Sequence, residues 1–275
     1  MNQIKQAATR VEQIADVQGI PDVRGIAIDR VGIKRIRHPV RVRDIDGQEQ
    51  PTIATFSMYV QLPAEHKGTH MSRFVDLLNQ DNDSGQCVLD VATMGDFSQR
   101  MAHRLDSSTG DIEARFTWFI DKPAPVSGIV SKLEYEAGIR AVHEDDTQTL
   151  DLRVVVPVTS LCPCSREISD YGAHNQRSHI TLTVRTRGGL GISELIRTVE
   201  AEGSCELYGL LKRPDEKYVT ERAYDNPKFV EDIVRDVAAH MDADDRVLGY
   251  TLEAENFESI HNHSAYAWLA RDKQA

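Results

Sequence analysis

The stretch "PTIATFSMYVQL", residues 51–62, alternates apolar and polar side chains, with Ala54, Phe56, Met58, Val60 and Leu62 on one face. A period of two marks a half-buried strand, because successive strand side chains point to opposite faces. Upstream, "RGIAIDRVGIKRIRHPVRVR" (24–43) alternates apolar and charged positions in the same way, so two strands precede any helix. Downstream the period changes. Met71, Phe74, Val75 and Leu78 are helically spaced, as are Val88, Val91, Ala92 and Leu105 in the next segment. Alternation returns in "DIEARFTWFIDK" (111–122), where Ile112, Ala114, Phe116, Trp118 and Ile120 share a face, and it continues through 126–142.

The acidic, turn-like "HEDDTQT" (143–149) separates this half from a second one of the same order. That half reads as strands at 150–160 and 178–186, helices at 192–202 and 227–241, and strands at 246–257 and 264–271. Asp225-Asn226-Pro227 is a start signal for the later helix, with proline near its first position. The order is therefore ββααββ twice, with no repeat at the level of residues. It predicts an α+β class in which antiparallel sheets carry helices on one face. A single irregular α+β domain whose halves look alike by chance is the alternative. The expected organisation is an N-terminal extension open to disorder (1–23), a first module (24–143) and a second (148–271). A sheet covered on one face has another face and two edges in need of partners, which homo-oligomerisation into a barrel would supply.

A chain of 275 residues with 40% apolar and 27% charged residues is globular in composition. No run approaches the roughly 18 apolar residues of a membrane span. The opening "MNQIKQAATRVEQIADVQGIPD" has no apolar core of a secretory signal, so the cytoplasm is the expected location. A formal charge of −11 argues against general nucleic-acid binding, and any phosphate site must be a local basic patch. Four cysteines in a chain this long are too few for a disulfide scaffold.

Four segments could carry chemistry. In "VTSLCPCSREISDYGAHNQRSH" (158–179), Cys162 and Cys164 lack the C-x-x-C spacing of zinc ribbons and redox motifs, and Pro163 marks a strand end. Either both are small buried hydrophobes, or one is functional beside a bystander. His174 and His179 follow from a polar, glycine-containing loop, where a histidine is ordinarily just solvated. "ENFESIHNHSAYAW" (255–268) sets Glu258, His261 and His263 at the connection between the last two strands, which is otherwise a polar hairpin tip. "LLKRPDEKYVTE" (210–221) reads as a mixed-charge loop, with Lys212, Arg213 and Lys217 among Asp215, Glu216 and Glu221. "EHKGTHMSRF" (65–74) puts His66, Lys67, His70 and Arg73 before a helix, either an anion site or a charged helix entry. Cysteine, histidine and carboxylate drawn from separate loops are what a catalytic divalent-metal site requires.

These motifs together closely resemble the type IB class of GTP cyclohydrolase I, over residues 24 to 271. The resemblance implies the tunnelling fold, with two tandem ββααββ modules per subunit and a homotetramer whose sites lie at subunit interfaces. It implies hydrolytic opening of GTP at C8, giving formate and 7,8-dihydroneopterin triphosphate, the first step of folate and pterin synthesis. Carried over by position, Cys162, His174, Glu216 and His261 would hold one divalent ion per site, manganese, iron(II) or zinc. Glu258 would anchor guanine, since one carboxylate can accept from N1–H and N2–H₂ together. Lys67, Arg73, Lys212, Arg213 and Lys217 are candidates for the triphosphate on charge alone. Cys162, His179 and His263 are the candidate catalytic groups, the two histidines for proton transfer. Two rivals remain at this point. One is the nitrile reductase of the same fold, with a cysteine nucleophile and NADPH, and the other a non-catalytic metal-binding module.

Overall fold

The computed structural model describes residues 18, 20–83 and 88–274. The expected N-terminal extension falls largely outside them. In chain order the elements are β1 (Ile28–Arg43), β2 (Glu49–Leu62), α1 (Met71–Asp83), the short β3 (Val88–Leu89), α2 (Val91–Arg104), β4 (Thr109–Pro123), β5 (Val130–Glu144) and β6 (Thr147–Leu161). There follow α3 (Pro163–Ile168), β7 (Asn175–Thr186), α4 (Ile192–Ala201), the short β8 (Cys205–Glu206), α5 (Arg213–Asp225), α6 (Val230–Ala243), β9 (Val247–Asn256) and β10 (Ala265–Asp272).

All ten strands belong to one sheet, ordered β10-β9-β7-β6-β5-β4-β2-β1-β3, with β8 beside β6. Among the described pairs only β1 and β3 run parallel. The segment expected to separate two halves is a hairpin turn. Glu144 pairs with Thr147 and the ladder runs on to Glu136 and Val155, so the sheet continues across it. Asp145 takes the left-handed backbone (φ 51°) that the tight turn needs and aspartate tolerates.

The strands alternate as read. In β4, Ala114, Phe116, Trp118 and Ile120 are buried, while Arg115, Thr117, Phe119 and Asp121 are exposed. The buried set merges with the apolar stripes of α1 (Phe74, Leu78), α2 (Met94, Phe97, Met101), α4 (Leu195, Val199) and α6 (Ile233, Val237, Met241) in one continuous core. Each such side chain contributes about 1.5–3 kcal/mol by leaving water, so this face determines the register. The Trp118 Nε1–H donates to Ser193 Oγ at 3.0 Å. Asp44, in the β1–β2 turn, accepts from the Ile192 and Ser193 amides at 2.7 and 2.9 Å, capping α4 from a distant part of the chain. A Cβ at Gly191, which leads into that helix, would lie 2.7 Å from Ile45 Cγ2, so the close approach requires glycine.

The helix readings need three corrections. Residues 88–105 are not one helix, because Val88 and Leu89 pair with Arg41 and Val42 before the Asp90–Thr93 capping box opens α2. Residues 213–225 are a helix, not a loop. Its inward positions are Asp215, Val219 and Ala223, too little apolar surface to show a period. Asp225-Asn226-Pro227 accordingly closes α5, with the Asn226 amide donating to Arg222 O at 3.1 Å, and α6 starts only at Val230, where Asp232 accepts from the Phe229 amide at 3.0 Å. Among the described residues no helix is long and apolar enough to cross a membrane.

Candidate active site

The core face of the sheet turns polar at one end. In β6 the buried positions run Leu152, Val154, Val156, Val158 and then Ser160. The facing β7 begins with Gln176 and Ser178 before Ile180, Leu182 and Val184, and β9 ends Leu252, Ala254, Asn256. Register sets Ser160 opposite Gln176 and Ser178 opposite Asn256. Pro163 then stops β6, because it has no N–H for the ladder, and opens α3 with Cys162 as the preceding cap. Cys162 Sγ accepts from the Ser165 amide at 3.5 Å, and the Cys162 amide donates to His174 O at 3.1 Å. That bond pins both ends of the 162–174 connection together.

His174 is held in turn. Its amide donates to Ser165 Oγ at 3.2 Å, and its Nδ1 lies 3.1 Å from both Gln176 Oε1 and Ser259 Oγ. Ser259 belongs to the β9–β10 connection, which carries half-buried Glu258 and exposed His261 and His263, their rings stacked at 5.0 Å. His179 lies on β7 with its ring 4.8 Å from that of Phe257, edge to face. The structure thus brings Cys162, His174 and the segment bearing Glu258, His261 and His263 to one end of the sheet. Of the two neighbouring thiols, Cys162 is half-buried within this network and Cys164 is exposed.

Helix α5 flanks the same end. It packs Val219 and Ala223 against Leu161 and Ala173, and Tyr224 beneath the Arg166 guanidinium at 4.8 Å. Lys212, Arg213, Glu216 and Lys217 are exposed on its first turns. Asp215 between them is buried. It accepts from the Val126, Ser127 and Lys212 amides, each at 2.8 Å, and from Ser127 Oγ at 2.6 Å. Burial pushes this carboxyl's pKa up, but the four hydrogen bonds outweigh it and hold the group well below the usual carboxylate range. Among the described residues, no three His, Cys, Asp or Glu side chains come together closely enough to enclose a metal ion. Cys162, His174, His261 and Glu216 therefore do not close around one point within a single chain. As a donor set they suit zinc, iron(II) or manganese, and the first two are already oriented by the hydrogen bonds above.

The first-half cluster lies elsewhere. The Gln61 amide donates to Thr109 Oγ1 at 2.8 Å, Thr109 pairs with Glu144, and Glu144 with Thr147. The loop after β2, with His66 and exposed Lys67, therefore sits by the start of β6, whereas Cys162 follows its end. The 15 residues of β6 span roughly 50 Å at ~3.3 Å per residue. Arg73, on α1, is paired with Asp106 at 3.5 Å. Gln18, Pro21 and Asp22 dock here, with the Asp22 amide donating to Glu65 O at 2.9 Å. Within one chain, Lys67 and Arg73 cannot serve the Cys162 end.

A family model described as "Type I GTP cyclohydrolase folE2" matches residues 14–267. Curated relatives named GTP cyclohydrolase FolE2 include one from Nitrosomonas eutropha, 58% identical over 96% of this chain and 97% of the relative. One from Nitrosococcus oceani is 56% identical over 99% and 100%, and one from Paraburkholderia xenovorans 54% over the whole of both. The chain belongs to the type I GTP cyclohydrolase folE2 family. Uricase from Arthrobacter globiformis shares the fold at a TM-score of 0.50, with 8% identity over 89% of this chain and 93% of that one. Family membership sets the cyclohydrolase reading above the nitrile reductase and the inert metal module.

In this folE2-type chain the sequence reading missed Gln176, Ser160, Asn256 and Asp215. A signal for the first three was present, since polar residues occupy positions where strand alternation demands apolar ones. A further buried group ties the same end together. Lys122 Nζ donates to Glu200 Oε1 at 2.6 Å and lies 2.9 Å from Glu206, and burial pushes the neighbouring Tyr135 phenol and the Glu200 carboxyl up.

Proposed function

We propose that the chain hydrolyses GTP to formate and 7,8-dihydroneopterin triphosphate, the first step of folate synthesis. The observation that carries this is 54–59% identity, over nearly the full length, to relatives named GTP cyclohydrolase FolE2. Two hydrolytic C–N cleavages at C8 consume two waters, and closure of the pterin ring returns one. The net reaction therefore uses a single water.

In this reading Cys162, His174, His261 and Glu216 hold one divalent ion, manganese, iron(II) or zinc, which supplies Lewis acidity for the hydrolyses. Glu258 accepts from guanine N1–H and N2–H₂ and orients C8 towards the thiolate end of the sheet. His179 and His263 are the imidazoles at hand to protonate N9 as the C8–N9 bond breaks. Lys212, Arg213 and Lys217 meet the triphosphate from the same chain. Lys67 and Arg73, at the far end, do so only from a neighbouring copy. Each subunit carries two tandem ββααββ modules, β1–β5 and β6–β10, and four subunits associate as a homotetramer with sites at subunit interfaces. Supporting this, the four ligand candidates do not converge within one chain, and β10 leaves Tyr266 and Trp268 exposed at a sheet edge.

The test is to assay formate and a fluorescent pterin from GTP on metal-free protein, restoring each divalent ion in turn. Absence of both products with every ion would refute the assignment. Mixing Cys162→Ala with Lys67→Ala subunits tests sharing, because recovered turnover requires sites built from two chains.

A further inference from the structure

We propose that Gln176 is a positioning residue that fixes His174 as the Nδ1–H tautomer, leaving Nε2 as the bare nitrogen for the ion. The inference rests on the reading of His174 as a metal ligand. Its physical basis is the hydroxyl of Ser160, which has one proton to give. Ser160 Oγ lies 3.2 Å from Lys228 O, 3.3 Å from Gln176 Nε2 and 3.3 Å from Asn256 Nδ2. A backbone carbonyl can only accept, so the proton goes to Lys228. The hydroxyl oxygen must then accept from both amides, which sets the NH₂ group of each towards it.

That choice propagates in two directions. For Asn256 it turns Oδ1 to Ser178, whose hydroxyl donates to it at 2.6 Å. For Gln176 it turns Oε1 to His174 Nδ1 at 3.1 Å, and a carbonyl oxygen there requires a ring N–H. Flipping the Gln176 amide would set its oxygen against a hydroxyl that has no proton left. Ser259 Oγ, also 3.1 Å from Nδ1, can share that N–H as a second acceptor and links the β9–β10 connection to the same nitrogen. Ser160 and Ser178 are fully buried, and Asn256 and Gln176 are 3% and 8% exposed, so bulk water does not substitute for any member. A ligating imidazole needs its second nitrogen held in this way, and loss of such a partner typically costs 10–100-fold in metal affinity.

The experiment uses metal-free protein labelled with ¹⁵N-histidine, together with Zn²⁺ affinity from competition with a chromophoric chelator. Wild-type His174 should show a protonated-type Nδ1 and an unprotonated-type Nε2. Gln176→Leu should shift the ring towards the Nε2–H tautomer and weaken Zn²⁺ binding by about 10–100-fold. Gln176→Glu keeps an acceptor at Nδ1 and should hold the Nδ1–H tautomer, with a loss of Tm because its second oxygen meets the Ser160 oxygen where the amide NH₂ had donated. An Nε2–H tautomer in the wild type overturns the proposal, whatever the variants do. So does an unchanged tautomer and affinity in Gln176→Leu. If His174→Ala keeps wild-type Zn²⁺ affinity, the ligand reading beneath the proposal fails, and the tautomer spectrum shows that separately.

Discussion

The connections of the first half and those of the second do different work. In the first half, the β1–β2 turn gives Asp44 to the start of α4, and the β4–β5 turn gives Val126 and Ser127 to Asp215 at the start of α5. In the second half, the β6–β7 connection carries Cys162 and His174, and the β9–β10 connection carries Glu258, His261 and His263. One half braces the other's helices, while the other half presents the candidate site residues. Similar strand orders can therefore hold unequal roles, decided by what the loops contain.

The comparison breaks first at Cys162. Cys162→Ala should reduce turnover to background and weaken metal binding together, while Cys164→Ala, at an exposed position outside the network, should cost less than about threefold. Equal losses would mean that the two thiols share the role. Next come the carboxylates. Sites that hydrogen-bond a polar substrate edge can reject analogues by about 10⁴, so Glu258→Gln should cripple GTP turnover with metal content near normal. Glu216→Gln should lose the metal as well. Metal analysis showing the reverse pattern would exchange the two assignments.

The bracing contacts should have smaller effects that cross from one half to the other. Asp215→Ala frees the first turn of α5 and should lower kcat/KM on the order of 10²-fold by misplacing Glu216 and Lys212. The Asp215 carboxyl titrates lower in the folded chain than the ordinary ~3.9 of the unfolded one. Its contribution to stability is therefore full above that value and lost as pH falls towards the folded pKa. Asp215→Asn should flatten this part of the acid limb in a Tm-versus-pH series, and an unchanged limb would argue against it. Asp44→Ala removes a cap worth about 1 kcal/mol, or roughly 2–4 °C in Tm for a chain of this size, with KM for GTP unaltered.

Much of this was legible in the sequence. Strand alternation gave both hairpin pairs of each half, because one face of every long strand meets the helices and the other is open. Helix α5 was not legible, since it buries a carboxylate and two small side chains instead of an apolar stripe. The motif residues were found, but not their separation. Lys67 and Cys162 look alike as loop residues after strands, and only the register shows that they occupy opposite ends. The Ser160–Gln176–Asn256 network arises from cross-strand pairing, which local pattern does not encode.

The smallest expected effect is at Lys217, and it sharpens the contrast between the two ends. Its ammonium pairs with Glu221 one turn along α5, and both side chains are well exposed. Such i,i+4 pairs contribute about 0.3–0.5 kcal/mol, so Lys217→Ala should leave Tm within ~2 °C of wild type. If Lys217 also meets the triphosphate, KM for GTP should rise severalfold at constant kcat, and the difference should shrink as salt screens the charge. Lys67→Ala provides the control. It can raise KM only where a neighbouring subunit brings that loop to the Cys162 end. A KM rise in Lys67→Ala that is relieved by mixing with Cys162→Ala subunits, beside one in Lys217→Ala that is not, would assign the two lysines to different chains of one site. A silent Lys217→Ala at low salt would remove α5 from the phosphate contacts and leave Glu216 as the reason that Asp215 braces it.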